Sequence, residues 1–341
     1  MTRGQEILGI SATRASAILG LNQWKTPLLA WQEIMEKKKP GFNAERGYIL
    51  PEREDKAVFR WGHAFENAII GIAQDTRGRT IERREDLVME TLGRIPLIAY
   101  IDGLYSDGTL HEGKTANIRA FDKKWGEPGT DRIPQEYQVQ IQHSMMCAGL
   151  ERAVVSVLVF PRPVEEWEEE GWEIEETAPG SPDWISHLLR NSKNNKLTRP
   201  GLWADLLNQM GYFHQYPVEA KPKTQKLLRT YYAEFWERFV LTEKEPDITD
   251  YEDIRRLFTA PKGTLVVSGG VAEWMREYKE ITKETGDSGF LAKRKTELKT
   301  KILEFSRNET TVVDDESQEK IIFLDATGKK VGQFDGKTFR T

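Results

Sequence analysis

Four charged side chains in the first half of the chain are of the types that work on phosphodiesters with a hard cation. They are Glu66 in FRWGHAFENAII, Asp102 in AYIDGLYSDG, and Glu112 with Lys114 in LHEGKTA. Carboxylate oxygens suit magnesium, and a lysine beside them can orient a water and offset charge that builds on a phosphate. LIAYID reads as a strand that carries Asp102, and SDG after it reads as a hairpin turn with Gly108 free to take positive φ. Glu112 and Lys114 are two residues apart on the next expected strand, so they share a face. The spacing alone leaves blander readings open. Asp102 before Gly103 is a common turn pair, and opposite charges on one strand face are ordinary on a surface. Glu66 can equally face solvent beside His63.

The elements around these residues follow from periodicity. Residues 11–37 read as helical, interrupted by a turn at GLNQWKTP, with Ala15, Ile18 and Leu19 on one face and Leu28, Leu29 and Trp31 continuing the apolar pattern. A second helix is expected from about Lys56 through Ile72, strands from Ile81 to about Lys114, and a helix over IPQEYQVQIQHSMMCAG. RAVVSVLVFP is a nearly continuous apolar run and reads as a buried strand. Helices, antiparallel strands, a helix and a strand in that order make a mixed α/β core. Residues 177–220, with APGSPDW, RNSKNNKLTRPG and HQYPVEAKPKT, read as loops around short helices. LLRTYYAEFWERFVL is amphipathic and packs back on the core. The expected division is a core over 1–245 with insertions after 161, then an accessory region over 246–341, helical and ending in a small hairpin with turns at ATGKK and FDGK.

With 341 residues, 38% of them hydrophobic, the chain can bury a large core. It has no stretch of about 18 apolar residues, and MTRGQEILG lacks the apolar segment of a signal peptide. A single cysteine, Cys147, excludes an internal disulfide and a multi-thiolate metal centre. A soluble, cytoplasmic protein without membrane association is the expectation. The net charge of −5 excludes a broad basic coat for nucleic acid, and EEWEEEGWEIEE alone supplies eight negative charges. Local patches escape that average: Arg276, Lys279, Lys283, Lys293, Arg294, Lys295, Lys299 and Lys301 crowd the helical region near the C-terminus. They fit a phosphate backbone or, with acids interspersed, an ordinary solvated face. His63, His111 and His143 are at unrelated spacings, and HEGK lacks the second histidine of a zinc-binding HExxH helix.

Taken in order, SATRASAILGLNQWKTPLLAWQEI, FRWGHAFENAI, AYIDGL, HEGKTA and YQVQIQHSMMCAG resemble the YqaJ-like viral recombinase family, the phage alkaline exonucleases of the PD-(D/E)XK nuclease superfamily. The resemblance covers about residues 7–160, with EFWERFV a looser echo. It implies a restriction-endonuclease-like core with a central mixed sheet flanked by helices. It further implies digestion of linear double-stranded DNA from the 5′ end, with Mg²⁺ (or Mn²⁺), leaving 3′ tails for a single-strand-annealing protein. Other members of the superfamily are structure-specific endonucleases or nickases, and a non-catalytic DNA-binding scaffold is the remaining alternative. Members can encircle DNA as small rings, typically trimers, and topology can then substitute for positive charge.

The resemblance also implies roles. Asp102 and Glu112 match the principal metal-binding carboxylates, joined by the carbonyl of Gly113 and by Glu66 on the preceding helix. Lys114 matches the lysine that positions the attacking water. Gln138 and Gln142 share a helix face that Gln140 does not, and periodicity does not choose among them; the family register points to Gln140 as the assistant of the lysine, with Gln142 as the alternative. Arg14 falls where the family binds DNA phosphate, and Thr13 replaces the usual serine before it while keeping a hydroxyl donor. Gly113 stands where a larger β-branched residue is common, which weakens the strand locally.

Overall fold

The computed structural model describes residues 8–22, 24–48, 56–83, 87–176, 187–247, 263–266, 270–283, 289–308, 321–324, 329–334 and 339–340. It divides into two compact units, Met1–Asn22 with Arg53–Glu237, and Gln23–Glu52 with Arg238–Thr341. Residues 23–52 thus group with the C-terminal part of the chain rather than with the expected 1–245 core.

Chain order sets the labels. The N-terminal segment forms β1 (Ile10–Ser11), α1 (Ala12–Ile18), α2 (Pro27–Lys38), α3 (Phe42–Glu45) and α4 (Ala57–Arg77). A strand series follows: β2 (Ile81–Arg83), β3 (Leu87–Leu92), β4 (Ile95–Tyr100), β5 (Gly103–Tyr105) and β6 (Leu110–Asn117). Two helices, α5 (Ile118–Lys124) and α6 (Gln135–Ala148), then lead to β7 (Arg152–Phe160). Beyond it are α7 (Val164–Glu169), β8 (Trp172–Glu176), β9 (His187–Asn191), β10 (Leu197–Thr198), α8 (Pro200–Gln209), β11 (Phe213–Glu219) and α9 (Pro222–Phe235).

In the first unit a five-stranded sheet runs β11-β7-β6-β5-β2. β7 is its spine because Val154, Val155, Val157, Leu158 and Val159 are β-branched or bulky and buried on both faces. It pairs in parallel with β6, from Leu110↔Ala153 to Asn117↔Phe160, and antiparallel with β11. The parallel step is bridged by α5 and α6, as parallel pairing requires a crossover. α4 carries buried Trp61, Phe65, Ile69 and Ile72 on one stripe. It ends at Gly78, whose φ of 59° makes the left-handed stop that glycine favours. Trp61, Phe65, Phe160, Trp167 and Trp203 form one aromatic cluster beneath it.

Two readings are corrected and two are met. LIAYID is not one strand: β4 stops at Tyr100 and belongs to a separate three-stranded sheet, β1-β4-β3, while β5 belongs to the five-stranded sheet. Asp102 occupies the crossing between the two. The region 177–220 is not mainly loop where it is described: β9, β10 and β11 lie within it, β9 pairing with both β8 and β10, whereas APGSPDW lies outside the described residues. The expected SDG turn is present at Ser106–Gly108, with Gly108 at φ 78° and its N–H donating to Tyr105 O. LLRTYYAEF packs inward as expected, through Leu228, Tyr232 and Phe235 of α9.

In the second unit, Trp31 of α2 packs edge-on to Phe42 of α3 and donates from Nε1 to Phe239 O at 3.0 Å. The C-terminal part contains β12 (Gly263–Val266), α10 (Gly270–Lys283), α11 (Gly289–Asn308), β13 (Ile321–Leu324), β14 (Lys330–Phe334) and β15 (Phe339–Arg340). β13 and β14 are antiparallel, which is the expected hairpin pairing, while 325–328 and 335–338, where its turn signals fall, lie outside the described residues apart from their edges. Met275, Tyr278, Leu298, Ile302, Phe323 and Phe334 form the centre of a core of their own. The basic helices use several cations internally. Arg294 forks onto Glu277 at 2.6 and 2.9 Å, Lys295 lies over Tyr278 and Lys301 over Trp274. These three side chains are braced between the two helices; the side chains of Lys283 and Lys293 lie outside the described residues. No helix among the described residues is long and apolar enough to cross a membrane.

Candidate active site

β6 carries the chemistry because its alternation separates two populations of side chain. Odd positions face α4: a Cβ added at Gly113 would meet Ile69 Cγ2 at 3.4 Å, and one added at Gly62 would meet Thr115 Oγ1 at 3.5 Å. Even positions face α6. There Lys114 Nζ bonds Glu112 Oε1, and Gln140 Nε2 donates to the same oxygen at 2.7 Å. Glu112 is 2% exposed, and its other oxygen, Oε2, is buried with no hydrogen-bond partner.

Asp102 reaches the same strand through its backbone. Gly113 N donates to Asp102 Oδ2 at 2.8 Å, so the β5–β6 hairpin holds that carboxylate beside Glu112 and Lys114. Burial, then the charge of Glu112 and, less strongly, of Glu66, push the Asp102 carboxyl up to about 7 against the opposing pull of Lys114 and the Gly113 amide. Burial opposes the charge on Lys114, but the Glu112 and Asp102 carboxylates overcome it and hold the ammonium above the ordinary lysine range. Lys114 therefore remains a cation throughout the neutral range. Glu66 on α4 is not a solvent-facing acid: its side chain is 12% exposed, it lies 3.6 Å from His63 Nδ1, and its field reaches both Asp102 and His111.

The glutamine helix is resolved by docking. Gln140 meets Glu112, whereas Gln142 is fully buried, donating to Glu219 O and accepting from Lys221 N, each at 2.8 Å. Gln142 ties α6 to the backbone of Glu219 and Lys221 and does not meet Glu112. Gln138 turns to Asp131 O. His111 is buried beside the site on the odd face, 3.2 Å from Ser156 Oγ, and burial lowers it to about 4. His143 lies in the core between Tyr232 OH and Ile98 O.

Arg14 is 7% exposed and donates to Gly9 O at 3.3 Å, so it is not an exposed helix-surface arginine. Thr13 beside it is exposed. One residue at the site escaped the sequence reading. Tyr137 lies one helical turn before Gln140, and Lys114 Nζ sits 5.2 Å from its ring centroid. The i, i+3 relation to Gln140 was the available signal.

A buried lysine–carboxylate pair on a strand, with an amide from a neighbouring helix and a second carboxylate at the hairpin, makes a buried, charged polar site in a mixed α/β fold. Residues 4–151 match the model of the YqaJ-like viral recombinase domain. A curated relative, the uncharacterized protein YqaJ of Bacillus subtilis (strain 168), is 26% identical over 155 residues, which is 44% of this chain and 43% of that one. The chain therefore spans less than half the length of that relative. Among solved structures, an alkaline exonuclease (LHK-Exo) from Laribacter hongkongensis aligns with 69% of this chain and 89% of its own at 14% identity and a TM-score of 0.42. A phage related exonuclease from Haemophilus somnus 129PT aligns with 70% of this chain and 98% of its own at 13% identity and a TM-score of 0.40.

Proposed function

We propose that this protein is a metal-dependent 5′-to-3′ exodeoxyribonuclease of PD-(D/E)XK type, acting on linear double-stranded DNA and leaving 3′ single-stranded tails. The observation that carries the reading is the shared oxygen Glu112 Oε1, gripped by Lys114 and Gln140, with Asp102 tied to the intervening Gly113 amide. Asp102, Glu112 and the Gly113 carbonyl would hold Mg²⁺ or Mn²⁺, with Glu66 behind them. Two features of these residues fit a cation: Glu112 Oε2 is buried and unpartnered, and burial together with the neighbouring Glu112 charge pushes the Asp102 carboxyl up to about 7. The described residues contain no cluster of three or more metal-ligating side chains. Magnesium is commonly held by one or two carboxylates, with water and substrate phosphate completing its shell.

When bound, the ion supplies Lewis-acid polarisation of the scissile phosphate and lowers the pKa of water. The remaining work belongs to the chain. Lys114, permanently charged, donates to the attacking water and to a phosphate oxygen and accepts no proton. Gln140 fixes Glu112 from the α6 side, so that neither oxygen swings as DNA enters. Arg14 and Thr13 would receive the DNA phosphate, Arg14 from its buried position at the start of α1. A single-strand-annealing protein is the partner on this reading, and a trimeric ring the assembly.

The test follows linear duplex DNA with a 5′-phosphate and distinct strand labels, in Mg²⁺ and in EDTA, beside a Lys114→Ala protein and a closed circular duplex. Metal-dependent loss from the 5′ end, absent from the variant and on the circle, is the expected result. Cutting of the circle would replace the exonuclease by an endonuclease, and binding without cleavage by a scaffold.

A further inference from the structure

We propose that Tyr137 is a positioning residue for the lysine: its ring face fixes the Lys114 ammonium where Glu112 Oε1 alone would leave it free to rotate. The inference rests on the nuclease reading and adds to it a residue that touches neither metal nor water.

Three placements carry it. Tyr137 and Gln140 lie one turn apart on α6 and both meet the even face of β6, Gln140 through Glu112 and Tyr137 through Lys114. The ammonium is thus held between a carboxylate oxygen and an aromatic face, with its side chain only 17% exposed. Tyr137 is in turn backed by Trp125, their centroids 5.8 Å apart, and Trp125 by Tyr216 at 5.0 Å, so the ring is seated on the core. A lysine has a flexible four-carbon stem and three rotatable donors. A single ion pair sets the distance of such a group and not its direction; a second contact on an aromatic face, worth most where water is excluded, sets the direction. Orientation of the donor governs how the attacking water is aimed.

The experiment replaces Tyr137 with phenylalanine and then with mono-, di- and trifluorinated phenylalanines, which keep the shape and progressively weaken the negative ring face. Tyr137→Leu completes the set. Two readouts are taken: kcat and KM on linear duplex DNA with Mg²⁺, and the shielding of the Lys114 ε-methylene protons in ¹³C-lysine protein, assigned by their loss in Lys114→Ala. Expected are an upfield Lys114 signal in the native protein and near-native kcat for phenylalanine. Along the fluorinated series kcat should fall stepwise, reaching on the order of tenfold to thirtyfold in Tyr137→Leu, with KM unchanged. A flat kcat across the fluorinated series in a protein that cuts DNA overturns the inference, as does an unshifted Lys114 signal. A shifted signal in a protein that cuts no DNA instead overturns the nuclease reading and, with it, the positioning role.

Discussion

Asp102→Asn should make the metal-free protein more stable while destroying its activity. The Asp102 carboxyl is pushed from an ordinary 3.8 to about 7 in the fold. A carboxyl raised on folding costs stability: the cost begins as pH rises through the unfolded value and is complete above the folded one. The cost is on the order of 1–2 kcal/mol at pH 5 and on the order of 4 kcal/mol at pH 8. Asparagine removes the charge and keeps an oxygen for the Gly113 N–H, whose bond is 2.8 Å long. Urea or thermal unfolding in EDTA at pH 5 and pH 8 measures the gap between the two proteins. It should favour the variant and widen with pH by about 2–3 kcal/mol, and Mg²⁺ should close it by binding the native wild-type protein alone. A variant no more stable than wild type at pH 8, or a gap that ignores pH, would refute the account of Asp102 as a crowded, buried carboxylate awaiting a cation.

The two nearby glutamines should separate cleanly. Gln140→Ala should lower kcat with little change in unfolding midpoint, because it releases one donor from Glu112; Gln142→Ala should cost about 1–3 kcal/mol in denaturant unfolding, because it strips the partners of Glu219 O and Lys221 N in the interior. Acid should also find His143. Burial lowers it from 6.5 to about 4, so its neutral form contributes stability above the unfolded value that is lost as pH falls from about 6.5 to about 4. His143→Gln should flatten that part of the stability–pH curve measured by urea titration, whereas an unchanged slope would remove His143 as its source.

What the sequence made legible was what strand and helix periods control. Glu112 and Lys114 share a face because they are two residues apart, and the run in β7 is buried because nothing in it alternates. The glutamine assignment depended on how α6 docks on β6, which periodicity within α6 does not contain. Asp102 was misplaced on a strand because Ile101, at the crossing between sheets, is itself 2% exposed, so the apolar run continues where the pairing does not. HQYPVEAKPKT reads as loop, yet β11, which overlaps it, lies at one end of the sheet order, where the missing N–H of Pro217 breaks no ladder. β8 was hidden by its charges, although Trp172 and Ile174 alternate inward between Glu173 and Glu175. Arg14 shows the same limit in reverse: a buried cation satisfied by Gly9 O carries no sign of it in composition.

The alternation along β6 has a consequence for how such a gene can drift. Deleting Gly113 would carry every later side chain to the opposite face, exchanging Lys114 for Thr115 opposite Tyr137 and delivering charge to Ile69. Length changes are therefore confined to the Ser106–Thr109 turn before β6 or to the connection after Asn117, where the faces are preserved. Within the strand itself, inheritance is restricted to substitution, one position at a time.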